Sequence, residues 1–188
     1  MLRRRYAASK RFPAKKQIMQ RLLPFLLLFV ATLSFAQERK SAVFLGNSYT
    51  AVNQLPNIVA NIANSLGDTL DWQSNTPGGY TLEGHSTNNT SLNLIRQGNW
   101  DFVVLQEQSQ RPSFPIGQVM VEVFPYAEAL NDSIIQYSPC GETMFYMTWG
   151  RQCGDQNNCA SWPPVCTFGG MQNLLRERYL QMAQDIDA

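Results

Sequence analysis

Ser48 stands in the segment Gly46-Asn47-Ser48-Tyr49-Thr50, directly after the short apolar run Ser41–Gly46. A serine on a tight turn between a strand and a helix exposes its hydroxyl and sets its own N–H near a helix start. That arrangement suits a nucleophile that attacks an ester carbonyl and becomes acylated. The tetrahedral intermediate carries an oxyanion, which needs donors already in place. Two further stretches offer them. Gly78-Gly79 can bring a main-chain N–H close because no Cβ intervenes. In Val103-Val104-Leu105-Gln106-Glu107-Gln108-Ser109 a carboxamide donates without adding charge. Gln106 and Gln108 compete for that role, since spacing alone does not fix the loop register.

Each residue also has an ordinary reading. A Ser after Gly-Asn serves as a turn or cap residue in most chains. Gly78-Gly79 is also a plain turn, and Gln106 also a cap on the sheet edge. Trp149 either lines a substrate cleft or ends a core strand, and Arg151 fits a loop salt bridge better than a substrate contact. The general base is the difficulty. The sequence holds one histidine, His85, in Gly78-Gly79-Tyr80-Thr81-Leu82-Glu83-Gly84-His85. It reads better as a hydrogen-bonding residue of its loop than as a base.

The elements that must position these residues alternate between strand and helix patterns. Strands are expected at Ser41–Gly46, Thr69–Asn75, Asp101–Gln106 and Thr143–Trp149. Helices are expected over Asn53–Leu66 with Asn53 as cap, Thr87–Arg96, Ile116–Tyr137 with an interruption at Pro125, and Gly169–Ala188. Strands read as apolar on both faces, which implies a parallel sheet covered by helices on both sides. The fold class is therefore α/β, a flavodoxin-like three-layer α/β/α arrangement. In such sheets the site lies at the carboxyl ends of the strands, where Ser48, Gly79, Gln106/Gln108 and Trp149 all fall.

Those blocks carry a resemblance. Gly-Asn-Ser-Tyr-Thr resembles the first block of the SGNH (GDSL-like) hydrolases, with Asn47 where Asp is commoner. Gly-Gly-Tyr-Thr-Leu resembles their second block, and Val-Val-Leu-Gln-Glu-Gln-Ser the third block of the branch with Gln in place of Asn, which includes sialate O-acetylesterase-like members. The resemblance spans most of residues 41–188 and implies a serine esterase. It implies that Ser48, Gly79 and Gln106 are catalytic, with Asn47, Gln108 and Trp149 at the substrate. It also implies a D-x-x-H block near the C-terminus, and none is present. The reading favoured is a domain, residues 37–188, that lacks its last strand and helix. Such a domain would have little activity by itself, since losing a triad member leaves only residual catalysis. The alternatives are an inactive relative, or a recruited His85.

Residues 1–36 read as a secretory signal: Lys and Arg without acids up to Arg21, an apolar run Leu22–Leu33, then Ser34-Phe35-Ala36, with cleavage between Ala36 and Gln37. The run is shorter than the ~20 residues that span a bilayer, so a membrane is expected to be met only if this segment stays uncleaved. Eight of the 15 basic residues precede the cut and all 14 acids follow it, leaving a mature net charge of −7. That surface argues against a nucleic-acid partner. Export to the periplasm or beyond makes disulfides natural for Cys140, Cys153, Cys159 and Cys166, and a Cys159–Cys166 pair would close a short loop. A zinc site is the weaker reading, for want of C-x-x-C spacing and of a nearby His.

The expected function is hydrolysis of an oxygen ester, with a short acyl or acetyl group on a carbohydrate as the analogy-based substrate, and with neither cofactor nor metal. A lipid ester is the other substrate. The rivals are a non-catalytic carbohydrate-binding module on the same fold and a flavodoxin-like nucleotide binder. Gly-Asn-Ser-Tyr-Thr is poor in the glycines and basic residues the latter needs.

Overall fold

The computed structural model describes residues 37–188; the secretory-signal reading of residues 1–36 lies outside the described residues. Four strands form one parallel sheet: β1 (Arg39–Leu45), β2 (Thr69–Asn75), β3 (Phe102–Leu105) and β4 (Glu142–Phe145), in the order β2-β1-β3-β4. Seven α-helices are described: α1 (Ser48–Ala51), α2 (Leu55–Ser65), α3 (Leu82–Thr87), α4 (Asn89–Gln97), α5 (Ile116–Glu122), α6 (Phe124–Tyr137) and α7 (Phe168–Asp185).

The order makes the site geometry. From β1 the chain moves outward to β2, then crosses back to β3 and on to β4. Right-handed crossovers therefore put α2 on one face and α3–α6 on the other. The order reverses between β1 and β3, which is where open α/β sheets bind ligands. Register aligns the strand ends there, with Leu45 beside Asn75 and Leu105, and Leu105 beside Phe145.

The main core lies on the face covered by α3–α6. Val43, Leu45, Val103 and Leu105 meet Leu94, Ile95, Leu130 and Ile134 there, joined by Tyr179 and Met182 of α7. Each large apolar side chain so buried contributes roughly 1.5–3 kcal/mol. The opposite face is thinner. Ala42 and Phe44 are buried, Phe102 and Val104 half-buried, and Met144 exposed.

Several sequence expectations need correction. β2 is an edge strand with most of its residues exposed, so it is not apolar on both faces. The fourth strand ends at Phe145, because Tyr146–Trp149 leave the sheet. Asn53 does not cap α2. It and Gln54 take left-handed backbone angles (φ 56° and 54°), and the helix starts at Leu55 with Pro56 in its first turn. The apolar residues Ile58 and Ile62 of α2, and Leu66 just after it, face solvent, whereas Pro56 and Ala60 are buried. The expected helix over 87–96 begins at Asn89, preceded by the separate α3. The interruption expected at Pro125 falls at Val123, with Pro125 in the first turn of α6, where its missing N–H costs nothing.

Candidate functional site

At the carboxyl end of β1 the chain turns through Gly46 and Asn47 into α1, whose first residue is Ser48. Ser48 is exposed while Asn47 and Thr50 on either side are buried. Asn47 caps the helix: its Oδ1 accepts the Tyr49 N–H at 3.1 Å and its Nδ2 donates to the Tyr80 carbonyl at 2.8 Å. Asn47 is buried and ties the serine turn to the Gly79 loop.

Gln106 is also a brace. Its Oε1 accepts the Asn47 N–H at 3.0 Å and the Thr50 hydroxyl at 2.9 Å, its Nε2 donates to the Glu107 carbonyl, and the side chain is fully buried. The carboxamide oxygen is thus spent on the serine turn, and one of the two Nε2 hydrogens is held by Glu107. Glycine is required at 46 because a Cβ there would run into Thr50 Oγ1 and lie 2.7 Å from Gln106 Oε1.

Gly79 lies in the exposed turn after β2 with φ 69°, a backbone angle that glycine adopts without strain. Among the described residues, neither the Ser48 N–H nor the Gly79 N–H has an acceptor. Both remain free to donate.

Gln108 is half-buried. Its Nε2 donates to Gln110 Oε1 at 2.9 Å, and that same oxygen accepts from Arg151 Nη2 at 2.7 Å and Ser109 Oγ at 2.9 Å. Arg151 is in turn paired with the fully buried Asp155 at 2.8 Å, whose other oxygen accepts from Asn158 Nδ2 at 2.7 Å. The salt bridge expected of Arg151 is present. A Cys159–Cys166 disulfide closes the same loop, and Trp162 Nε1 donates to the Ser113 carbonyl at 3.0 Å. The loop after β4 thus braces the loop after β3.

Trp149 is 47% exposed, with its ring 4.7 Å from that of Tyr49 and 6.5 Å from that of Tyr146. Tyr49 adjoins Ser48 in the chain. The three rings form an aromatic ledge beside the serine.

His85 is fully buried on α3. Its Nε2 donates to the Gly46 carbonyl at 2.9 Å and its Nδ1 accepts from Ser91 Oγ at 2.7 Å, while Ser91 accepts from Asn75 Nδ2 at 2.8 Å. Burial pushes its pKa down to about 4, so the ring is neutral at pH 7. With both nitrogens engaged and no exposure, His85 locks the end of β1 and is not poised to deprotonate Ser48.

Sequence reasoning missed Glu107 and Ser91. Glu107 follows the strand at a position that pattern reading treats as loop, yet it is fully buried. Its Oε1 accepts the Gln108 N–H at 2.6 Å and its Oε2 the Leu82 N–H at 3.1 Å. Burial pushes its pKa up to about 7. Ser91 is silent in sequence because its role arises only when α4 meets His85. Among the described residues no cluster of three or more His, Cys, Asp or Glu side chains is gathered as a metal site needs, and no helix is long and apolar enough to cross a membrane.

No family model matches this chain, and no curated protein matches it. Its backbone is similar to solved structures. A DUF4886 family protein from Bacteroides uniformis superposes with a TM-score of 0.64 at 14% identity, over 80% of this chain and 65% of that one. The psychrotrophic esterase EstA from Pseudoalteromonas sp. gives 0.51 at 10% identity, over 79% and 74%. Axe2, an acetyl xylan esterase from Geobacillus stearothermophilus, gives 0.50 at 13% identity, over 81% and 75%. The chain spans less than two thirds of the first protein's length. The described residues share the α/β fold of these structures.

Proposed function

We propose that this chain, on its SGNH-like frame, belongs to an exported serine esterase that cleaves an oxygen ester through an acyl-Ser48 intermediate. The observation that carries the reading is the position of Ser48: the exposed first residue of α1, at the end of a central strand, where the strand order reverses. The Ser48 N–H and Gly79 N–H would receive the oxyanion, with the Gln108 carboxamide as third donor, since Gln108 is half-buried whereas Gln106 is fully buried. A carboxamide Nε2 has two hydrogens. One of Gln108's is held by Gln110, leaving the other to donate.

The substrate favoured is a short acyl group, acetyl above all, on a carbohydrate. An exposed indole flanked by two phenols presents a flat apolar face with polar rims, which suits the apolar face of a sugar ring. An acetyl xylan esterase among the similar folds is an analogy in the same direction. Export is supported by the leader pattern and by the Cys159–Cys166 bridge.

The general base is the part the described residues do not supply, because the one histidine is locked against Gly46. The base would then come from residues other than those described. β4 is an edge strand, and a cavity of ≈ 600 Å³ beside it, lined by Ile135, Met144 and Ile186 among others, gives room for a further strand. The described residues alone would hydrolyse poorly. A second reading, a non-catalytic carbohydrate-binding module, draws on the same lack of a base and on the same ledge. The test is acetate release from acetylated xylo-oligosaccharides by the full-length gene product. The esterase reading expects release that Ser48→Ala abolishes; sugar binding without release, from a product with no Asp-His pair, would favour the module.

A further inference from the structure

Glu107 has no part in the chemistry just described, yet the fold buries it completely. A carboxyl group taken out of water costs several kcal/mol unless its oxygens are bonded, and here both are. Oε1 takes the Gln108 N–H at 2.6 Å and Oε2 the Leu82 N–H at 3.1 Å. Leu82 is the first residue of α3, three positions past Gly79, and its N–H is one of the donors that a helix start leaves unmatched. One carboxyl group therefore spans the loop that carries Gly79 and the loop that carries Gln108. Its own N–H is anchored from a third element, by donation to Tyr179 Oη of α7 at 3.2 Å.

We infer that Glu107 is a positioning residue, a buried clip that fixes the spacing between the two loops bearing the oxyanion donors before any substrate arrives. The inference rests on the esterase reading, because that reading gives Gly79 and Gln108 their roles. Charge around the clip fits the task. Arg111 faces Glu107 and is itself held by Glu122 at 3.1 Å and Glu83 at 3.5 Å, so it moderates the buried charge without consuming an oxygen of Glu107. The other titratable groups against it are Glu83, which opposes ionisation, and Tyr179, which burial keeps protonated. The ionised carboxylate accepts from both loops. Protonation turns one oxygen into a donor facing an N–H, so one of the two ties must then weaken.

The experiment uses Glu107→Gln, which keeps the volume but replaces one acceptor by a donor. Amide exchange at Leu82 and Gln108 is followed by NMR. In the full-length gene product, the rate of Ser48 labelling by a fluorophosphonate is measured across probe concentration. The expected result is about tenfold lower protection at one of the two amides, the scale of one hydrogen bond. The limiting labelling rate should fall by roughly 10²-fold, as for loss of one oxyanion donor, with half-saturation unchanged. In the wild type, without any substitution, the Leu82 and Gln108 amide shifts should titrate together with one midpoint near Glu107's value of about 7. If Glu107→Gln keeps both amides protected and labels at the wild-type rate, while Ser48→Ala does not label, the clip is overturned and the esterase reading stands. If Ser48→Ala labels like wild type, both fall.

Discussion

The side-chain amide of Asn47 donates to the Tyr80 carbonyl at 2.8 Å, so the residue that caps the Ser48 helix also holds the loop that carries Gly79. Loss of that one side chain should act on both. Asn47→Ala removes the cap and the tie, at about 1–2 kcal/mol, or a few degrees in Tm for a domain of this size. Its effect on Ser48 reactivity should be larger than that drop implies, because two partners of the site lose their relative position. Thermal melting alongside labelling kinetics separates the two effects. A variant that loses stability but reacts at the wild-type rate contradicts the positioning role.

His85 and Glu107 make opposite contributions to stability with pH. The neutral His85 has a folded pKa of about 4 against an ordinary 6.5, so the unfolded chain binds the extra proton. Its contribution is present above pH 6.5 and is lost as pH falls towards 4. Glu107 is raised from 4.5 to about 7, so its contribution is complete below 4.5 and is lost as pH rises through 7. Each is worth on the order of 3 kcal/mol at most. Where the two ranges overlap, from pH 4.5 to 6.5, they offset. Urea unfolding of His85→Ala should show lower stability overall, and a steeper fall between pH 5 and 7 than in the wild type, since only the Glu107 dependence survives there. A parallel pair of pH curves would contradict the assignment for His85.

Gln108→Ala should slow Ser48 acylation by ~10²–10³-fold if its carboxamide meets the oxyanion. Arg151→Ala should give a smaller loss, because Arg151 acts only through Gln110 Oε1. Gln106→Ala should instead lower stability, by about 1–3 kcal/mol, through the stranded Asn47 N–H and Thr50 hydroxyl. Kinetics and melting of the three variants together decide which glutamine is the donor.

Trp149→Ala should raise the KM for an acetylated oligosaccharide while leaving labelling by a small fluorophosphonate unchanged, because the ledge meets the alcohol part and not the reacting carbonyl. Equal KM values for variant and wild type on the sugar ester would remove the ledge from the substrate site.

Much of the fold was legible from one-dimensional pattern. Thr69–Asn75 alternates, and β2 occupies that span; the run of apolar residues at Val103–Leu105 gave β3, and β3's place beside β1 explains why it is apolar on both sides. Periodicity also gave α2, but not its facing: its small residues Pro56 and Ala60 turn inward while Ile58 and Ile62 stay exposed. The short α3 was not legible because six residues hold too little period to read. At the site, the exposed Ser48 and the positive-φ Gly79 were legible from residue type. The division of labour between Gln106 and Gln108 was not. It depends on which amide reaches the β1 turn, and that is settled by the pairing of Leu105 with Leu45. Glu107 was invisible for the same reason, since Leu82, one of its two partners, lies 25 residues away in the chain.

The central claim is that the hydroxyl of Ser48 is a nucleophile. Intact-mass and peptide-mapped detection of a fluorophosphonate adduct on the full-length gene product tests it most directly. The account predicts a single adduct on the peptide containing Ser48, absent in Ser48→Ala and strongly slowed in Gln108→Ala. An adduct of equal yield in Ser48→Ala, or one mapped to another serine, would contradict it.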